Sequence, residues 1–394
     1  MRASWKLFRV FGIEVRVHIT FLLIVAYFAY LWGRVYEPGG WVGAAYGVLM
    51  VILLFGLVTI HELTHSRVAQ HYGVKVAGIT LLPIGGMAQM EEIPREPRKE
   101  LFISVAGPLS NIAIALLMFV GALFLLSAEE LTVEGLTDLL LQRSFRGAYV
   151  YLMLVNLTLA AFNLLPAFPL DGGRVFRALL ALKLGRERAT RTAVVVGQAL
   201  ALALGLWGLL GGGIFLLLVA VFIFLGASGE GQGAETGRVL GSVRVGQAVN
   251  AGVEYARPGQ VVGELAARLF HTYQTDFLVV DAEERLVGLV TRDMLIRALS
   301  QHGRFYPVAQ AMMVDFPSLA PQDTLLDAFN SMRAAGTKAA AVVDEGRLVG
   351  MLSMEDISEA FSLLAAGGSD LAAEVGAVNA RFHPLAGGGP QRPV

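Results

Sequence analysis

The sequence predicts two fold classes in one chain. A multipass α-helical membrane region, with about six spans and a short re-entrant β-hairpin, precedes a water-soluble α/β region made of two copies of one unit. Three observations carry this expectation. The 394 residues are 55% hydrophobic and only 16% charged, with mean hydropathy +0.61, whereas a soluble domain carries roughly 25% charge. The long uncharged runs all fall within residues 1–229. Residues from about 240 to 365 then repeat at a spacing near 63. There is no cysteine, which excludes thiol catalysis, Cys-held zinc and iron–sulfur chemistry and leaves the redox compartment open. A formal net charge of −1 gives no reason to expect a nucleic-acid partner.

Each span is justified by its charge pattern. A helix needs about 20 apolar residues to cross a bilayer. Residues 17–33 are uncharged with His18 neutral, 42–66 carry only Glu62, 101–128 carry no charge, and 147–173 carry only Asp171. Residues 192–229 are uncharged but too long for one helix, and Gly211, Gly212 and Gly213 divide them as a tight turn would. Basic residues cluster before the first span (Arg2, Lys6, Arg9, Arg16), after the second (Arg67, Lys75, Arg95, Arg98, Lys99) and after the fourth (Arg174 to Arg191). The connection after the third holds Glu129, Glu130, Glu134 and Asp138 beside Arg143 and Arg146. The positive-inside rule places the N-terminus and the C-terminal region in the cytoplasm, a parity that six spans satisfy. No small-residue cleavage site follows a short apolar core, so no removed signal peptide is expected.

Residues 79–90 are apolar but too short to span, and Pro83, Gly85 and Gly86 forbid a regular helix. They read as strand–turn–strand dipping into the cytoplasmic leaflet. Such a hairpin either offers an edge to an unwound substrate by β-addition or only packs over the site. The layout follows: 1–228 in the membrane, 229–241 a linker, 242–302 and 303–365 the two repeats, and 366–394 a flexible Gly- and Pro-rich tail.

The sharpest chemical signal is His61-Glu62-Leu63-Thr64-His65 at the cytoplasmic end of the second span. On a helix, positions i and i+4 share a face, so both imidazoles can reach one metal with Glu62 beside it. A five-residue motif arises by chance, but three ionisable groups in one turn of an apolar run are costly and functional by default. A catalytic zinc wants a third protein ligand and an open position, where it activates water and a neighbouring carboxylate takes the proton. Asp171 is the candidate: it is the lone formal charge of its run and is flanked by Pro166, Pro169, Gly172 and Gly173. Irregular backbone at membrane depth is tolerated only where protein or a wet cavity surrounds it.

These motifs resemble those of site-2 proteases, which are intramembrane zinc metalloproteases. The His61 motif continues to Ala69 and Gly73 with that family's spacing, and residues 163–173 match its second signature. Pro83-Ile-Gly-Gly86 and Ala106-Gly-Pro-Leu-Ser-Asn111 match the segments around span three. The resemblance covers about residues 1–228. It implies that His61, His65 and Asp171 hold one Zn²⁺, that Glu62 activates water, and that Asn163 positions substrate or stabilises its oxyanion. An asparagine satisfying broken-helix carbonyls remains the other reading of Asn163. The implied substrate is a single-span or membrane-associated protein in a lipid bilayer, the implied location a prokaryotic cell membrane. A regulated ion or metal transporter is the rival, since intramembrane His and Asp also carry ions.

In the repeat region, Val245-Gly-Gln-Ala-Val249 matches Val308-Ala-Gln-Ala-Met312, and Arg285-Leu-Val-Gly288 matches Arg347-Leu-Val-Gly350. This resembles a tandem pair of cystathionine-β-synthase (CBS) domains, found in the site-2 protease branch that includes the sporulation sigma-factor-processing type. Such pairs imply an adenine nucleotide such as ATP, with Ser353 and Asp356 at a ribose and Thr291 and Asp293 as the counterpart. The first copy is one residue short in that pattern. A purely packing or dimerising module, giving a homo-oligomer through the pair, is the other reading.

Overall fold

The computed structural model describes residues 4–34, 40–83, 85–90, 94, 96–142, 144–272 and 274–365. The predicted tail 366–394, Arg2, Arg95 and Arg143 of the charge pattern, and Ile84 of the 83–86 motif lie outside the described residues. The chain divides into two compact units, Met1–Gln232 and Gly233–Val394.

The first unit opens on a sheet. Strands β1 (Ser4–Val10) and β2 (Ile13–His18) form a hairpin across Phe11 and Gly12, both at positive φ. β2 pairs in parallel with β3 (Val76–Leu82), and β3 pairs antiparallel with β4 (Gly85–Met90), giving the order β1-β2-β3-β4 with β4 at an edge. The strand–turn–strand expected at 79–90 is therefore half of a four-stranded sheet. The alternation of Ile13, Val15 and Val17 puts three apolar side chains on one face. They pack with Ile79 and Leu81 against Phe21, Val51 and Phe55.

That sheet takes the opening of the first expected span. Residues 17 and 18 belong to β2, and the apolar helix α1 covers Phe21–Arg34, 14 residues. Among the described residues, five helices are long and apolar enough to cross a membrane. They are α2 (Gly40–His71), α3 (Pro97–Leu125), α5 (Phe145–Asn163), α7 (Arg186–Trp207) with its π turn to Gly212, and α8 (Ile214–Gly241). A short amphipathic helix, α4 (Val133–Leu141), lies in the acidic connection and is capped by Thr132. The expected turn between the last two spans is present, with Gly211 at φ +122° and Gly213 at φ +91°. The fourth apolar run breaks after α5, and Asp171 opens a new helix, α6 (Asp171–Leu184). The stretch 229–241, expected as a linker, is helical throughout as the end of α8.

The second unit holds α9 (Val245–Ala248), α10 (Val262–Arg268), β5 (Phe277–Val280), β6 (Leu286–Val290) and α11 (Arg292–His302). The second copy follows with α12 (Val308–Ala311), β7 (Ser318–Leu319), α13 (Leu325–Ala335), β8 (Ala339–Asp344), β9 (Arg347–Ser353) and a helical stretch over 354–365. The copies exchange their first helices. Val245 of α9 is buried in the core of the second copy with Leu325 and Val342, while Val308 of α12 is buried with Leu265 and Phe277 of the first. The Val245 N–H donates to the Asp323 carbonyl at 2.8 Å. A third cluster joins Leu278 and Leu289 to Ala339 and Met351, so the two copies bury their apolar faces on each other. Helix α13 starts in a reciprocal cap between Thr324 and Asp327. Thr324→Ala should lower the unfolding free energy of this unit by about 1 kcal/mol, read from urea unfolding; an unchanged midpoint would show the cap to be idle.

Candidate metal centre

Helix α2 is apolar until its last turns, where His61 and His65 stack edge-on with ring centroids 4.7 Å apart. Both are buried. The His65 Nδ1–H donates to the Ile103 carbonyl of α3 at 2.6 Å, which fixes the tautomer and leaves the Nε2 lone pair free to ligate. His61 Nε2 lies 3.1 Å from His65 Nε2. Asp171 Oδ2 stands 3.2 Å from His61 Nε2 and 3.1 Å from His65 Nε2.

Asp171 arrives from far along the chain. After α5, residues 164–170 make a compact turn closed by backbone hydrogen bonds, including Leu165 N–H to Phe162 and Leu170 N–H to Ala167. Ala167 and Phe168 are buried. The turn folds so closely on the start of α6 that a Cβ at Gly173 would lie 2.6 Å from the Ala167 carbonyl carbon, and one at Gly172 would strike the Leu164 and Leu165 backbone. The glycine pair is thus required by close approach, and that approach aims the carboxylate at the imidazoles.

Two further glycines shape the centre. A Cβ at Gly107 of α3 would meet both imidazoles, lying 2.7 Å from His61 Nε2 and nearer still to His65 Nε2. A Cβ at Gly86 of β4 would lie 2.6 Å from Glu62 Cγ. The edge strand therefore rests against Glu62, which is half-buried beside the cluster. The match around Ala106–Asn111 was visible in the sequence; that Gly107 makes room for the histidines was not.

The donor set fits zinc. Metal–ligand bonds of about 2.0–2.1 Å at tetrahedral angles set donor atoms about 3.3 Å apart, close to the spacing of the three atoms here. Two imidazole nitrogens and one carboxylate leave a fourth position open, as a catalytic site needs.

The other expected residues lie elsewhere. Asn163 is the last residue of α5, directly before the turn that carries Asp171. In the second unit, Thr291 caps α11, its hydroxyl accepting from the Met294 N–H. Ser353 accepts from the Asp356 N–H at 3.1 Å, and its own hydroxyl donates to Asp356 Oδ2 at 2.7 Å. Met294 in the first copy therefore stands where Asp356 stands in the second. Asp293 is one position off and exposed, with Lys338 at 3.6 Å.

Residues 49–204 match the family model described as Peptidase family M50, and 245–301 and 308–363 each match that of the CBS domain. A zinc metalloprotease of Methanocaldococcus jannaschii is 33% identical over 365 residues, covering 92% of this chain and 98% of that protein. The chain belongs to peptidase family M50. It is a site-2 protease with a tandem CBS pair, as the motifs at 61–73 and 163–173 and the repeat led one to expect. Stage IV sporulation protein FB of Bacillus subtilis is 31% identical over 198 residues, covering 49% of this chain and 63% of that protein. The solved site-2 protease of M. jannaschii is 39% identical, covering 58% of this chain and 95% of that one, with a TM-score of 0.41. The M50 protein is thus a membrane metalloprotease.

Proposed function

We propose that this M50 protease cleaves a peptide bond in or near a transmembrane segment, with His61, His65 and Asp171 as the zinc ligands and Glu62 as the general base. The convergence of three donor atoms within 3.1–3.2 Å carries the reading. Zinc, when bound there, supplies Lewis acidity to water and to the scissile carbonyl. Glu62 takes the proton of the attacking water and returns it to the leaving amine, acting first as base and then as acid. Asn163 offers amide N–H groups to the developing oxyanion. A helical peptide bond is shielded by its own turn, so the substrate must be extended; β4, at the end of the sheet among the described residues and beside Glu62, can hold it by strand addition.

The basic flanks of the spans support a cytoplasmic N-terminus and CBS pair in a cell membrane. The pair binds an adenine nucleotide and adjusts cleavage. Ser353 and Asp356, whose groups sit together at a helix start, provide the hydroxyl and carboxylate that a ribose needs. Phe270 and Phe305, exposed at 87% and 72%, give the first copy an apolar surface suited to a second copy of the chain. Cleavage of a single-span substrate in proteoliposomes should change with ATP or AMP, and Asp356→Ala should weaken that response. Identical kinetics across saturating nucleotide would remove the regulatory part of the proposal and leave the protease untouched.

A further inference from the structure

The turn that delivers Asp171 is held from outside the metal centre by a buried ionic cluster. Arg177, within α6 and 5% exposed, is its hub. Its Nε donates to Glu100 Oε1 at 2.8 Å, and its Nη2 pairs with the same oxygen. Its Nη1 donates to Glu230 of α8. Glu100, at the start of α3 and fully buried, also accepts from Arg186 of α7 at 3.1 Å. The Arg177 guanidinium lies over the Phe168 ring, 4.9 Å from its centroid. Phe168 is a buried residue of the 164–170 turn, packed with Ala193 and Ala227. The adjoining Pro169 closes on α8 at Gly226, where a Cβ would strike the proline ring.

Charges removed from water are costly unless paired and hydrogen-bonded. This cluster satisfies that condition by drawing α3, α6, α7 and α8 around one short turn. None of its members touches the metal donors. The planar fork of an arginine can hold two carboxylates and an aromatic face at once, which a lysine cannot. A metal donor is useful only within about 0.2 Å of its bonding distance, so the turn needs a rigid support.

We infer that Arg177 is a positioning residue: through Phe168, and anchored by Glu100 and Glu230, it sets where the Asp171 carboxylate stands relative to the two imidazoles. The inference rests on the reading of His61, His65 and Asp171 as metal ligands. It makes α8 part of the support of the metal centre, although α8 contributes no ligand.

The test uses the full chain in detergent and three readouts: zinc affinity by chelator competition, the visible spectrum of the cobalt-loaded protein, and helical content by circular dichroism. Arg177→Lys keeps the charge and loses the fork. Phe168→Leu removes the ring and leaves the carboxylate pairings in place. Arg177→Lys should weaken zinc binding about 10–100-fold, the range for partners beyond the ligands themselves, and Phe168→Leu by about tenfold. Both should alter the cobalt spectrum at unchanged helical content. Asp171→Ala serves as the reference: zinc affinity and spectrum unchanged in that variant would sink the ligand assignment itself. If Asp171→Ala loses zinc while Arg177→Lys and Phe168→Leu bind it like wild type, the ligands stand and the positioning role is overturned. Loss of zinc that only follows loss of helical content overturns it too, because the cluster would then merely hold the fold.

Discussion

Glu62→Gln should cut cleavage of a single-span substrate in proteoliposomes by about 10²–10⁴-fold, the range for losing a general base, while about one zinc per chain is retained. Glutamine has the same shape, and the side chain is fixed between α2 and β4, with Gly86 lying against its Cγ. The substitution therefore removes proton acceptance and little else. His61 and His65 keep their places, because the Ile103 carbonyl orients His65 independently of Glu62. Zinc content by metal analysis separates the outcomes. Lost activity with full zinc supports the assignment, whereas cleavage at the wild-type rate would assign the proton transfer to another group.

Gly107→Ala is the second large effect expected, and it comes from one methyl group. The added Cβ would sit 2.6 Å from His61 Cε1, a separation that carbon atoms do not accept. The imidazoles cannot yield easily: one is tied to Ile103, four residues before Gly107 on the same helix. Either α3 moves away or the donor nitrogens part. Zinc affinity should fall by about 10–100-fold or more, and cleavage with it. Gly56→Ala on α2 is the control, since a Cβ there meets nothing within 4 Å; it should leave both quantities near wild type. Wild-type zinc binding in Gly107→Ala would mean that α3 does not press on the histidines.

The legible parts of this site were the local ones. His61, Glu62 and His65 lie within five residues, and their helix is set by apolar composition. Asp171 could be nominated because an acid alone in an apolar run demands a reason, yet its meeting with His61 spans 110 positions. The N-terminal sheet escaped notice for a related reason. Lys6, Arg9 and Arg16 look like the basic flank of a span, and β2 gains its strand identity from a parallel partner some sixty residues later. The interchange of α9 and α12 between the repeats is equally silent, since both copies carry nearly the same residues at those helices.

Hydropathy and the 3.6-residue repeat act within single segments, so the amino-acid order by itself determined the long apolar helices, the histidine pair and the duplicated soluble unit. The folded chain alone decided that the first apolar run yields its opening residues to a strand, that Gly107 and Gly86 clear space for the imidazoles and Glu62, and that Arg177 braces the turn before Asp171. Those outcomes depend on contacts between distant segments at close-packed separations, where one carbon atom is the margin.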